Sequence, residues 1–383
     1  MAETPRRRRI LMIAGEASGD YLGADLATEI LARAPDCEIV GMAGERMRAA
    51  GVKALVRIEE VAGMGATELA ATIGPVITAF RVLRAVLRRD PPDLVILIDF
   101  ADFNLKFAWF AKRIGVPVLY YVPPQVWAWR RWRIRTLVKR SDQLAVVFPF
   151  EAELYAHAGG RVTFVGHPAL DRVKPAQDPA ATLARHGLPP RTRLLAILPG
   201  SRRGEIRYLL RPMIEAARIL CADHDLVPVI ALASTLTPDD LRDAVGAAPL
   251  EGLRIIEGDT YSIIAASTMA LVASGTATLE TALLGCPMVI AYKMSPLSYA
   301  VGRMLIHGVD YIGMPNLLAG RAVVPELIQY DVTPQKLVRA AEPLLAPSLH
   351  DQVAAELRAL RDQLGTPGAA GRVAAMALEI LAK

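Results

Sequence analysis

Short apolar runs alternate along the chain with stretches whose apolar residues recur at helical spacing, the pattern of parallel sheets covered by crossover helices. In the first half the pattern predicts strands near 9–14, 38–41, 94–98, 117–121 and 143–147. In the second half they fall near 194–198, 227–231, 253–256, 270–272 and 287–290. The Pro-rich polar stretch "GHPALDRVKPAQDP" at 166–179 separates the two sets and reads as a linker. The expected organisation is α/β, with two Rossmann-like doubly wound domains facing across a cleft. The first domain is expected over 1–166 and the second over 167–345. Residues 346–383 carry Ala and Leu stripes and no strand, which predicts a helical tail packed back on the first domain or on a second subunit, as in a homodimer.

Composition narrows the class. With 53% hydrophobic and 22% charged residues over 383 positions, the chain is globular and long enough for two cores. Its mean hydropathy of +0.30 prompts a search for a spanning segment, but the best stretch, 269–292, is interrupted by Gly275, Glu280, Gly285 and Pro287. The amino terminus lacks the long apolar core of a signal peptide. Cys37, Cys221 and Cys286 are far apart and odd in number, which suits free thiols in a reducing cytoplasm. No Cys/His spacing suggests a metal, and no cofactor is expected. The net charge of +5 favours anionic partners.

In doubly wound sheets ligands bind beyond the carboxyl ends of strands, so the chemistry is sought in those loops. After the first strand, "GEASGD" brings Glu16, Ser18, Gly19 and Asp20 to a helix start, without the GxGxxG spacing or the ribose-binding acid of a dinucleotide site. After "LVILI", Asp99 stands at a strand end with Asp102 and Asn104 just beyond; Asp99 is a candidate general base, or a helix cap. The segment "PPQVWAWRRWRIRTLVKR" carries Gln125, then Trp127, Trp129 and Trp132, and six basic residues from Arg130 to Arg140 with no acid. It suits a sugar site, an anionic membrane, nucleic acid, or a solvated helix face. In the second half "LPGSRRGEI" ends a strand with a tight turn at a helix N-terminus, where Ser201 and Arg202 would hold an anion. "SGTATLE" repeats that logic: Ser274, Gly275 and Thr276 form a turn suited to phosphate oxygens, and Glu280 suits ribose hydroxyls. Two such turns in one domain suit a diphosphate-bridged nucleotide.

Taken together, "AGEASGD" (14–20), "IDFADFN" (98–104), "PPQVWAW" (123–129), "FVGHP" (164–168), "LPGSR" (198–202), "SGTATLE" (274–280) and "MPNLLAGR" (314–321) resemble the lipid-A-disaccharide synthase family, in order and over nearly the whole chain. The resemblance implies an inverting, metal-independent glycosyltransferase of GT-B build in lipid A synthesis of Gram-negative bacteria. Its substrates would be UDP-2,3-diacylglucosamine and 2,3-diacylglucosamine 1-phosphate, and its products a β-1,6-linked disaccharide 1-phosphate and UDP. Asp99 would then be the base. Arg202 would hold the diphosphate, with Ser201, Ser274, Gly275, Thr276, Glu280 and Asn316 around the nucleotide. Glu16, Ser18, Gly19, Asp20, Asn104 and Gln125 would line the acceptor side. Acylated substrates imply a cytoplasmic enzyme at the inner-membrane surface, with Trp127, Trp129, Arg131, Trp132 and Arg133 as anchors and residues 61–89 as an apolar helix. The alternatives are another UDP-sugar enzyme of this build, such as a UDP-N-acetylhexosamine 2-epimerase, and a basic nucleic-acid-binding protein; the latter leaves the nucleotide loops unexplained, so no nucleic-acid partner is expected.

Overall fold

The structure, a computed structural model, describes residues 8–62, 69–126, 132–174, 178–305 and 310–382. It divides into two compact units, Met1–Asp171 with Leu364–Lys383, and Arg172–Gln363. Each is built on one parallel sheet.

The first unit holds β1 (Arg9–Ala14), β2 (Glu38–Ala43), β3 (Lys53–Arg57), β4 (Leu94–Ile98), β5 (Val118–Tyr121), β6 (Gln143–Val146) and β7 (Val162–Phe164), in the order β3-β2-β1-β4-β5-β6-β7. Ile10 of β1 aligns with Ile39 on one side and Leu94 on the other. Every residue of β4 and β5 is buried, which is why these strands read as unbroken apolar runs. The second unit holds β8 (Leu194–Leu198), β9 (Val227–Leu232), β10 (Arg254–Glu257), β11 (Ser267–Ala273), β12 (Met288–Tyr292) and β13 (Glu326–Ile328), in the order β10-β9-β8-β11-β12-β13. β3, β7 and β13 were not expected from the pattern. They are edge strands, and β7 and β13 have no buried residue, so neither produces an apolar run.

The carboxyl-terminal helices separate. Helix Pro347–Gln363 stays with the second unit, where His350 Nε2 bonds the Thr268 carbonyl at 3.0 Å. Helix Ala369–Leu381 lies against helix Ala17–Arg33 of the first, with Arg33 donating to the Gly371 carbonyl at 2.5 Å and Arg372 Nε to that of Val165 at 2.9 Å. The chain therefore does not have the single tail expected over 346–383. The division also falls at Asp171, not at 166, because His167 N bonds the Leu364 carbonyl at 2.9 Å and the Asp171 carboxylate accepts from Gly368 N at 2.7 Å.

Candidate active site

In the first sheet the strand order reverses between β1 and β4, and in the second between β8 and β11. These are the switch points at which doubly wound sheets bind ligands. Segments Gly15–Asp20 and Asp99–Asn104, each running into a helix, leave the first, and the Gly200–Arg202 and Ser274–Thr276 turns leave the second.

At the first switch point the backbone is strained. Asp99 and Phe100 both have φ +47°, consecutive left-handed residues with side chains. Such a conformation costs about 1–3 kcal/mol per residue and persists only when its surroundings enforce it. The bracing is visible here. The Asp99 carbonyl accepts from Asn104 Nδ2 at 2.8 Å and from the Tyr120 hydroxyl at 2.8 Å, while Asp99 N donates to the Tyr121 carbonyl at 3.3 Å. Burial, with the charge of Asp99 second, pushes the Tyr120 phenol far above its ordinary range, so it stays a neutral donor. The Phe100 ring lies where a Gly15 side chain would begin, 2.2 Å from the position of such a Cβ, so the two loops fit only with glycine there. The turn fixes Asp99 at the strand end, half-buried.

The other first-unit candidates divide. Glu16 precedes the helix start half-buried, Ser18 is exposed, and Gln125 is exposed at the end of the loop after β5. Gly19 packs a hypothetical Cβ 3.2 Å from that of Ala14, a close helix–strand approach. Asp20 and Asn104 are corrected. The Asp20 carboxylate accepts from the backbone N–H of Gly44 (2.8 Å), Arg46 (3.0 Å) and Met47 (3.1 Å), capping the short helix Glu45–Ala49 instead of facing a ligand. Asn104 is fully buried and donates to the Ile98 carbonyl (3.1 Å) as well as to that of Asp99, so it positions the Asp99 turn.

At the second switch point the turn is open. Arg202 is the N-cap of helix Arg203–His224, with a side chain 68% exposed. Its neighbour differs: Arg203 is ion-paired to Asp240 at 2.7 Å, and Asp240, hydrogen-bonded to Thr237, is held below the usual carboxylate range. Glu205 reaches back from the helix, accepting from Ser201 N at 2.9 Å and lying 3.7 Å from Arg202. A side chain at Gly200, φ +122°, would strike that carboxylate. A carboxylate thus occupies the place where an anion is favoured. Tyr292, at the end of β12, feels the charge of both Glu205 and Arg202.

The Ser274–Thr276 turn is built from small residues. Gly275 has φ 157°, ψ −161°, with nothing within 4 Å of a would-be Cβ, and exposed Thr276 opens helix Thr276–Leu283. Ser274 Oγ donates to the Ile312 carbonyl at 3.2 Å, which brings the 310–313 loop alongside. Glu280, one turn into the helix, accepts from the Tyr261 hydroxyl at 2.9 Å and lies 3.7 Å from Arg172; burial raises its carboxyl above the usual range against both of them. Asn316 is corrected. Its amide is fully buried and engaged on backbone and protein: Nδ2 donates to the Val324 carbonyl and to Glu326 (2.8 Å each), and Oδ1 accepts from Val323 N and Val324 N (2.7 and 3.0 Å). Glu326 in turn accepts from Ile312 N and Gly313 N (2.8 and 3.0 Å). The pair shapes the loop beside Ser274 without presenting a polar atom of Asn316 to a ligand.

Trp127, Trp129 and Arg131 lie outside the described residues. Trp132 is 69% exposed and suits an interfacial anchor. Arg133 does not: it is ion-paired at 2.6 Å to Asp102, with only 15% of its side chain exposed. Among the described residues no helix is long and apolar enough to cross a membrane, and no cluster of three or more His, Cys, Asp or Glu could hold a metal ion.

Sequence reasoning passed over Tyr120, Glu205, Tyr261, Arg172 and Glu326. Tyr120 carried a signal, one of two tyrosines that end the strand beside the one leading to Asp99. The others depend on contacts distant in sequence or on the direction of one side chain.

The fold resembles that of S. aureus MnaA in its co-structure with UDP, at 14% identity over 98% of each chain and a TM-score of 0.64. Among curated proteins, the lipid-A-disaccharide synthases of Geobacter sulfurreducens and Syntrophus aciditrophicus are 45% and 44% identical, each over 98% of both chains. The profile of the lipid-A-disaccharide synthetase family matches residues 10–377. A match of this length and identity, joined to two Rossmann-like units with their turns at the switch points, places the chain in one family: it is a member of the lipid-A-disaccharide synthases, glycosyltransferases of GT-B build.

Proposed function

We propose that this chain transfers the diacylglucosamine unit of UDP-2,3-diacylglucosamine to the 6-hydroxyl of 2,3-diacylglucosamine 1-phosphate, with inversion. The acceptor oxygen forms a bond to C1 of the donor sugar, the bond from C1 to the diphosphate breaks, and UDP leaves. The products are a β-1,6-linked disaccharide 1-phosphate and UDP. The acceptor proton passes to Asp99. The observation that carries this assignment is the braced left-handed turn at Asp99–Phe100, since strain of this kind gathers where a side chain must be held for chemistry.

Charge grows on the diphosphate as the C1 bond breaks. Arg202, the Ser201 amide and the N-terminus of helix Thr276–Leu283 are the groups suited to stabilise it, most strongly in the transition state. Ser274, Gly275 and Thr276 approach the phosphates, and Glu280, steadied by Tyr261, accepts from the ribose. Glu16, Ser18 and Gln125 contact the acceptor, while Asn316 acts through the loop it clamps. Acylated substrates require a membrane surface, which Trp132 and the exposed Arg135 and Lys139 suit, so we assign the chain to the inner face of an anionic bilayer.

Incubation with both acylated substrates in EDTA, followed by mass spectrometry, tests the reaction. A disaccharide 1-phosphate is expected. Turnover of UDP-N-acetylglucosamine in its place would reassign the chain to another reaction on the same fold.

A further inference from the structure

The carboxyl-terminal halves of helices Leu69–Arg89 and Ala101–Arg113 line a half-open cavity of about 420 Å³, away from the strand ends described above. Arg84, Arg88 and Arg113 line it, and no acid does. Two of the guanidiniums lie over aromatic rings: Arg84 is 4.3 Å from the centroid of Phe110 and Arg113 is 4.8 Å from that of Trp109. The two rings meet edge to face at 4.7 Å. Stacking fixes the plane of a guanidinium and leaves its in-plane N–H groups for an acceptor. Nε of Arg84 is buried with no hydrogen-bond partner, a state that costs about 1–3 kcal/mol. Nearby Lys112 is paired with Asp142 at 2.5 Å, whereas among the described residues the three arginines pair with no carboxylate.

Basic residues in a last helical turn commonly complement the helix dipole, which accounts for Arg88 and Arg113. It does not account for Arg84, a turn earlier, nor for the cavity. The walls supply the second half of the recognition. Leu87 is 1% exposed and closes the interior, while Trp109 (38% exposed) and Ile114 (44%) present apolar surface at the edge. Ile77, 43% exposed, continues the stripe of Arg84 two turns back along the helix. Free phosphate has no use for such walls, and a zwitterionic lipid gains little from three unopposed cations.

We propose that this cavity is a binding site for an anionic phospholipid of the bilayer, its phosphate held by Arg84, Arg88 and Arg113 and the start of an acyl chain laid on Trp109 and Ile114. The site deepens the membrane reading of the first unit and is independent of the transfer chemistry. Calorimetry with dihexanoyl phosphatidylglycerol below its micelle concentration tests it. Saturable binding is expected, lost by more than about tenfold in Arg84→Gln/Arg113→Gln, with dihexanoyl phosphatidylcholine binding far more weakly and inorganic phosphate failing to compete. Unchanged UDP affinity of the variant shows that it is folded. Equal affinity in wild type and variant, equal binding of the zwitterionic lipid, or displacement by phosphate alone would overturn the site. On the unaltered chain, a diazirine-bearing phosphatidylglycerol in vesicles should label peptides spanning 84–88 and 109–114. Vesicle binding with labelling confined elsewhere would refute the cavity and leave the membrane reading intact; no vesicle binding would sink both.

Discussion

The Asp99 turn, after β4, and the Gly200–Arg202 turn, after β8, each stand at the switch point of their own sheet, yet they are built in opposite ways. The first is rigid: two left-handed residues, a carbonyl gripped by Asn104 and Tyr120, and a phenyl ring filling the space that Gly15 leaves. The second is open, with an arginine 68% exposed and a carboxylate, Glu205, on the Ser201 amide. The difference suits the roles proposed for each. A base must be aimed at one proton, where small displacements are costly. A diphosphate arrives with its own charge and can displace a resident carboxylate, so an exposed guanidinium at a helix N-terminus suffices to receive it.

Substitutions can break the comparison, the largest effect coming from the rigid side. Asp99→Asn should lower kcat by about 10²–10⁴-fold while UDP affinity stays at the wild-type value, measured by product mass spectrometry and calorimetry. Arg202→Ala should lower kcat by about 10²–10³-fold and also weaken UDP, and Arg202→Lys should recover only part of the loss, since an ammonium cannot make the paired contact. Tyr120→Phe removes one of the two bonds to the Asp99 carbonyl. A fall in kcat of about tenfold with little change in acceptor KM is expected, because the aim of the base is loosened and not its contacts. The smallest effect belongs to the open side: Glu205→Gln takes a negative charge from the anion position, so UDP should bind a few-fold tighter, read by calorimetry. Weaker UDP binding in that variant would mean that Glu205 builds the site instead of competing for it.

A pH test sharpens the nucleotide side. Burial holds the Glu280 carboxyl above its usual 4.5, so the folded chain binds that proton more tightly than the unfolded chain. Its contribution to stability is therefore full below about pH 4.5 and is lost as pH rises through the folded value. Glu280→Gln should flatten that part of the stability profile, measured by denaturant titration, and weaken UDP.

How much of this was legible in the sequence follows from burial and direction. Interior strands such as "LVILI" and "LLAIL" are buried on both faces and leave a plain signal, and so do the small-residue turns that end them. The edge strands β7 and β13 do not, because neither buries a residue, whereas the edge strand β10 keeps enough apolar character to be seen. Among candidate ligands, residue type marked where polar groups gather but not which way they turn. Asp20, Asn104 and Asn316 stand in the first turns of helices, yet the Asp20 carboxylate, Asn104 Nδ2 and the Asn316 amide are spent on backbone groups of the protein. An Asn or Asp near a helix start serves either purpose, and only the position of distant amides such as Gly44 N or Val323 N decides. Arg133 illustrates the same limit: a basic run suggests an outward face, but its partner Asp102 lies on another helix.

The central claim is that one turn aims the base and the other holds the leaving group, and single-turnover transfer measured beside UDP affinity in Asp99→Asn and Arg202→Ala tests it most directly. The account predicts that Asp99→Asn binds UDP normally and makes almost no disaccharide 1-phosphate, while Arg202→Ala loses both. Transfer by Asp99→Asn near the wild-type rate, or normal UDP binding by Arg202→Ala, would contradict it.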